Sequence, residues 1–213
     1  MTQIRSYEAF KVPVPSDFRP LALDPSRPLD VEIGCGVGFH PLRYAEANPD
    51  RTLVAFERTS EKFEKFLGRL KNHPELPNLI PIHGDAIPWI THTFTPESVD
   101  RYFLLYPNRY PKESQRNLRF HLMPFFGRLR DTLKRGGSIT IATNEEFYAA
   151  EAREVMREQW GMKLVDCRVL PLDSKPRTHF EKKYLARGDQ CWNMVWTKGA
   201  EIPAKAVLEG FFN

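Results

Sequence analysis

The chain has 213 residues, a mass of 24.8 kDa, 41% hydrophobic residues, a net charge of +4 and a pI near 9.0. This is enough apolar material for one domain of ordinary size, and no apolar run approaches the length of a membrane span. The first residues, MTQIRSYEAFKVPVPSDF, lack the basic-then-apolar pattern of a signal peptide, so a cytoplasmic protein without a membrane partner is expected.

Residues 1–28 carry five prolines and little periodicity and read as an N-terminal arm. Strand-like apolar runs then alternate with helical spacing across a domain expected to span 29–198. LDVEIG (29–34) precedes a helix at 40–48, TLVAF (52–56) precedes a helix at 59–72, and NLIPIH (78–83) and VDRYFLL (99–105) follow. A helix is predicted over 114–135, with Leu118, Leu122, Phe125, Leu129 and Leu133 on one face and Pro124 as a kink. SITIAT (138–143), a helix at 145–159, MKLVDCRVL (162–170), a polar basic loop and CWNMVWTK (191–198) complete the domain, leaving 199–213 as a C-terminal tail. The alternation predicts an α/β fold around a parallel sheet covered on both sides. The last two strands, with no helix between them, are expected to pair antiparallel.

The three cysteines, Cys35, Cys167 and Cys191, are odd in number and lack C-x-x-C spacing, so neither a disulfide framework nor a zinc site is expected. The histidines are scattered without ligand spacing, and no metal is expected. Basic residues are concentrated in two segments. Residues 101–135 hold nine Lys or Arg against Glu113 and Asp131, and KPRTHFEKKYLAR (175–187) holds five against Glu181. Such asymmetry points to a face for a polyanion, with phosphate as the ligand, although solvated surface clustering gives the same count.

VEIGCGVGF (31–39) places Gly34, Gly36 and Gly38 at a strand-to-helix turn, where backbone N–H groups can approach a ligand. Two ligands compete for this loop. A dinucleotide loop would read G-x-G-x-x-G, whereas the spacing here is G-x-G-x-G behind Glu32, whose carboxylate opposes phosphate and suits a cationic amino-acid-like ligand such as S-adenosyl-L-methionine. Glu57 ends the next strand, where an acid accepts from ribose hydroxyls, and Asp85 follows the third, where an acid accepts from an adenine amine. Each acid alone is an ordinary loop residue. Three at successive strand ends share one crevice.

With EIGCGVG, Glu57, GDA ending at Ala86, YPNRYPK (106–112), IATNEEFYA (141–149) and KPRTHFE (175–181), the chain resembles the bacterial tRNA (guanine-N7-)-methyltransferase family over about 29–198. The resemblance implies a Rossmann-like class I S-adenosylmethionine-dependent methyltransferase with a seven-stranded, mostly parallel sheet and an antiparallel last strand. It implies S-adenosyl-L-methionine at Glu32, Gly34, Gly36, Gly38, Glu57, Asp85 and Asn108. Lys112, Asn144, Arg177, Thr178, Phe180 and Glu181 would hold the nucleotide, and tRNA would lie on a basic face formed by 109–119 and 175–187.

In the family the corner after the fourth strand usually reads F-P-D-P-W, with the aspartate regarded as catalytic. Here the corner is YPNRY, placing Asn108 in the catalytic position, and Asn144 stands where a second aspartate is usual. Asn-Pro-Pro-aromatic corners belong to amino-group methyltransferases, but NRYP lacks the first proline and brings the aromatic one position early. Three readings fit these residues: methyl transfer to ring nitrogen 7 of guanine in tRNA, a tRNA-binding paralogue with weak or no catalysis, or methylation of a different substrate.

Overall fold

The computed structural model describes residues 4–199; residues 200–213, nearly all of the expected tail, lie outside the described residues. Its strands are β1 (Leu29–Ile33), β2 (Thr52–Glu57), β3 (Leu79–His83), β4 (Val99–Leu105), β5 (Leu133–Thr143), β6 (Met162–Val169) and β7 (Trp192–Lys198). They form one seven-stranded sheet in the order 3-2-1-4-5-7-6. Strand β7 runs antiparallel to both its neighbours, β5 and β6, and the other pairings are parallel, as the sequence predicts.

The helices are α1 (Phe39–Ala47), α2 (Ser60–Leu70), α3 (Ala86–Thr93), α4 (Phe125–Thr132), α5 (Glu146–Glu158) and α6 (His179–Ala186). A sheet covered on both faces buries whole strands, and β1 and β2 are buried at every position. Leu42, Ala45 and Phe66 of α1 and α2 pack on one face; Trp89, Ile90, Phe126, Leu129, Tyr148 and Met156 of α3, α4 and α5 pack on the other. Each such large side chain contributes roughly 1.5–3 kcal/mol when fully buried. The two charged side chains inside β1 are both partnered. Asp30 accepts from Arg51 and from the Tyr44 hydroxyl, each at 2.6 Å, which compensates the carboxylate for loss of water.

Residues 4–28 contain no strand and lie against α3. The Tyr7 and Thr91 hydroxyls are 2.6 Å apart, Phe18 packs 5.1 Å from Trp89, and His92 Nε2 donates to Val12 O at 2.9 Å.

The helix expected over 114–135 is corrected. Only α4 is α-helical there, preceded by 3-10 turns at Glu113–Leu118 and Phe120–Leu122, and Leu133 already belongs to β5. Arg119 and Met123 adopt extended backbone angles between these pieces. Pro124 disfavours a helical residue before it and lacks an N–H, so the break falls at Met123. Leu118 leaves the expected apolar face and is exposed. The segment is held down instead by charge. Glu151 of α5 accepts from Arg116 at 2.6 Å, Arg119 at 2.9 Å and His121 at 2.7 Å. These donors keep its carboxyl down at about 2 against the opposing effect of burial.

The long basic loop expected between the last two strands is corrected too, because it contains α6. Thr178 caps this helix, its Oγ1 accepting from Glu181 N at 3.0 Å. Of the three cysteines, Cys35 and Cys191 are buried and Cys167 is exposed.

Candidate active site

The carboxyl ends of β1, β2, β3, β4 and β5 share one edge of the sheet, and the glycine loop leaves β1 there. Gly34 N and Cys35 N donate to Phe56 O at 2.8 and 2.9 Å. Gly36 N donates to Glu57 Oε2 at 2.8 Å, and Thr59 N donates to Glu57 Oε1 at 2.7 Å. Glu57 is therefore a buried carboxylate that fastens the loop while each oxygen keeps capacity for one more donor. Gly34 and Gly36 have φ of +78° and +62°, and a Cβ built on either meets no atom within 4 Å. Their side of the loop is open to a ligand. Gly38 differs: a Cβ there would lie 2.1 Å from the Phe66 ring, so this glycine serves the packing of α1 against α2.

Glu32 is buried at 1% exposure, and its Oε2 lies 2.7 Å from His40 Nδ1 on α1. His40, which sequence reasoning assigned no role, orients this acid. Glu32, Gly34, Gly36 and Lys62 line a cleft closed on its outer side by Thr178 and Phe180 of the α6 region. Arg43 donates to Pro176 O at 2.5 Å, and the His179 ring stacks on Phe39, 6.3 Å apart at 10°. The stretch expected to hold the nucleotide thus also walls the cleft expected to hold the methyl donor.

That stretch divides by role. Phe180 is exposed, with the Lys62 ammonium 5.6 Å from its ring centre. Glu181 is turned inward at 1% exposure, accepting from the Tyr106 hydroxyl at 2.8 Å and from Arg177 N and Nη2, each at 2.7 Å. Arg177 continues to Asn193 Oδ1 at 2.7 Å, which ties α6 to β4 and β7. The Arg177 and Tyr106 donors hold the Glu181 carboxyl below the usual range despite burial.

The corner after β4 combines two prolines with two left-handed tyrosines, Tyr106 at φ +57° and Tyr110 at φ +42°. Non-glycine residues in this region cost roughly 1–2 kcal/mol each. Tyr106 is fixed there by its bond to Glu181 and by Tyr106 N donating to Ala142 O at 2.8 Å. Asn108 projects from the corner exposed, its Nδ2 3.5 Å from the Tyr110 hydroxyl. Next to it, Arg109 pairs with Glu145 at 2.6 Å. Asn144 Nδ2 donates to Asp189 Oδ2 at 3.2 Å, a partner sequence reasoning did not bring to the site. Asp85 is exposed at the end of β3 and caps α3, its Oδ1 accepting from Ile87 N at 2.9 Å. Lys112, Lys175, Lys182, Lys183 and Arg187 are exposed, whereas Arg119 is buried against Glu151.

The strand order, the antiparallel β7, the glycine loop and the acids at the strand ends define a Rossmann-like class I methyltransferase fold. A family model described as "Putative methyltransferase" matches residues 26–194. The tRNA (guanine-N(7)-)-methyltransferase of Nitrosomonas europaea is 30% identical over 206 residues, covering 93% of this chain and 91% of that protein. Its counterpart in Nitrosomonas eutropha is 28% identical, with the same coverages of 93% and 91%. The chain belongs to the tRNA (guanine-N(7)-)-methyltransferase family. Among solved structures, a mutant 16S rRNA (adenine(1408)-N(1))-methyltransferase from Catenulisporales acidiphilia with its cosubstrate SAM superposes with a TM-score of 0.61 at 16% identity, covering 86% of this chain and 96% of that one. The 16S rRNA methyltransferase KamB superposes at 0.58 and 20% identity, covering 81% and 88%. These likenesses concern the fold. Among the described residues no helix is long and apolar enough to cross a membrane.

Proposed function

We propose that the protein transfers a methyl group from S-adenosyl-L-methionine to ring nitrogen 7 of a guanine in tRNA. The observation that carries this reading is 30% sequence identity to a protein named a tRNA (guanine-N(7)-)-methyltransferase along nearly the whole of both chains. The donor set fits the cofactor. Glu57 has acceptor capacity left for ribose hydroxyls, Gly34 and Gly36 leave the loop open, and the buried Glu32 carboxylate supplies negative charge for an ammonium or sulfonium. Asp85 keeps one carboxylate oxygen for the adenine amine.

The cofactor supplies an electrophilic methyl on sulfur. Guanine N7 has a lone pair and no proton to lose, so the protein needs to position the base and stabilise the cation that forms. Asn108 Oδ1, at the end of β4 beside β1, is the acceptor assigned to that base. Phe180 offers an exposed aromatic face for stacking. Lys112, Lys175, Lys182, Lys183 and Arg187 provide the phosphate contacts. The protein works in the cytoplasm, where its substrate is found.

Purified protein, labelled methyl donor and bulk tRNA, followed by nucleoside analysis, test the reading. Labelled 7-methylguanosine is expected. Label in another nucleoside would establish a different substrate, and tRNA binding without label would establish a binding protein.

A further inference from the structure

Strand β7 enters the sheet at the edge where the parallel strands leave it, with Trp192 in register with Thr143. The residues that lead into β7 therefore stand beside the end of β5. Among them is Asp189. Its Oδ2 accepts from Asn144 Nδ2 at 3.2 Å and from the Arg187 guanidinium. Its own N–H donates to Tyr184 O at 3.0 Å, and Gly188, at φ +80°, closes the turn behind it. The carboxylate is thus fixed by backbone and by two side chains. Its Oδ1 accepts no hydrogen bond among the described residues.

The surroundings suit a purine. The Tyr184 ring stacks on Phe180, 6.1 Å apart at 19°, and Tyr106 packs 5.4 Å from Tyr184. Asn144 directly follows β5, two strand spacings or roughly 10 Å from β1, with β4, which leads to Asn108, between them.

We propose that Asp189 is a specificity-determining residue, its Oδ1 accepting from N1–H and the exocyclic amino group of the target guanine. The proposal deepens the guanine-7 reading and rests on it. Guanine presents adjacent donors at N1 and N2 on its pairing edge, and a carboxylate carries only acceptors to meet them. An enzyme that acts on an unstacked base reads that edge with hydrogen bonds. N7 and the pairing edge lie on opposite sides of the purine, so a base with N7 toward the glycine loop presents its donors to the far wall. Methylation makes the ring cationic and strengthens N1–H as a donor. The contact with Asp189 tightens as the methyl moves, and it acts on the rate as well as on binding.

The test uses a tRNA transcript and its counterpart with a single inosine at the guanosine that the parent methylates. Inosine keeps N7 and N1–H and lacks the 2-amino group. Methyl transfer is measured for the parent and for Asp189→Asn on both. The parent is expected to favour guanosine by about tenfold or more in kcat/KM, the loss of one hydrogen bond to a charged acceptor. Asp189→Asn is expected to slow both substrates, because inosine keeps the N1–H contact, but to slow guanosine several-fold more and so lose most of the preference, with a thermal unfolding midpoint matching the parent's reporting an intact fold. Comparing variant with parent cancels any intrinsic difference in nucleophilicity between the bases. Equal losses on both substrates, or a preference unchanged in the variant, would overturn the proposal while leaving guanine-7 transfer standing. Absence of guanine-7 methylation by the parent would overturn both.

Discussion

The carboxylate of Glu57 accepts the amide N–H of Gly36 at 2.8 Å, so the acid proposed to grip a ribose also shapes the glycine loop. Removing it acts twice: the ribose loses charge-assisted acceptors, and the Gly36 and Thr59 amides lose their partner. Glu57→Ala is expected to weaken S-adenosyl-L-methionine binding by roughly 1.5–3 kcal/mol. Calorimetry reads this directly, and unchanged affinity would remove Glu57 from the cofactor site.

At Asn108 an amide stands where the family resemblance implies a carboxylate, and the proposed function sets it opposite a base that becomes cationic. A charged acceptor contributes roughly 1.5–3 kcal/mol against about 0.5–1.5 for a neutral one. Asn108→Asp, nearly isosteric and exposed, is expected to raise single-turnover transfer to tRNA about tenfold or more. A rate no higher than the parent's would mean that the site has been retuned around the amide.

Exposed cations make tRNA affinity depend on salt. Each phosphate contact contributes about 0.7–0.9 to the slope of log affinity against log salt. Lys182→Ala and Lys183→Ala are each expected to lower that slope by one such step. Arg119→Ala is expected to leave the slope unchanged and destabilise the fold, because its guanidinium faces Glu151. A salt-independent affinity in the parent would dissolve the proposed phosphate face.

Glu151 sets an acid limit on stability. Its carboxyl titrates near 2 in the folded protein against 4.5 in the unfolded chain, so between these values the unfolded state binds the extra proton. The stabilisation is complete above pH 4.5 and is lost as the pH falls through about 2. Removing one partner from this half-buried network costs less than the roughly 3–5 kcal/mol of a fully buried pair, because solvent screens part of it. Glu151→Gln is expected to unfold at lower urea than the parent at pH 7, with the gap closing as the pH falls from 4.5 toward 2. A gap constant with pH would show that packing, and not ionisation, ties 116–121 to α5.

The parallel strands were legible in the sequence because buried runs such as TLVAF have one reading when punctuated by glycine and helical spacing. Helix α6 was not, although Thr178 and Glu181 are spaced as a helix cap: the surrounding basic residues resemble a solvated loop until the cap bond is seen. The segment 114–135 misled for the opposite reason, since leucines at helical spacing persist across a proline that breaks the helix. At the site, the acids at the ends of β1, β2 and β3 could be listed from their positions. Their bonds to His40 and the Gly36 amide, and the meeting of Asn144 with Asp189, depend on contacts between segments far apart in sequence. The antiparallel turn into β7 supplies the last of these.

Strand β7 is the last made in the sheet, yet it lies inside it, between β5 and β6. As the chain emerges from the ribosome, β6 has no hydrogen-bonding partner until β7 is made and inserts. Helix α6 precedes that insertion by only a few residues, and its anchor Arg177 reaches Asn193 within β7. The glycine loop and its acids are therefore complete early in synthesis, while the wall facing them is fastened at the final pairing step. Nascent chains stalled before residue 192 would lack the tie from Arg177 to Asn193, leaving the α6 wall held only by its contacts to Tyr106 and α1 until the last strand slots in.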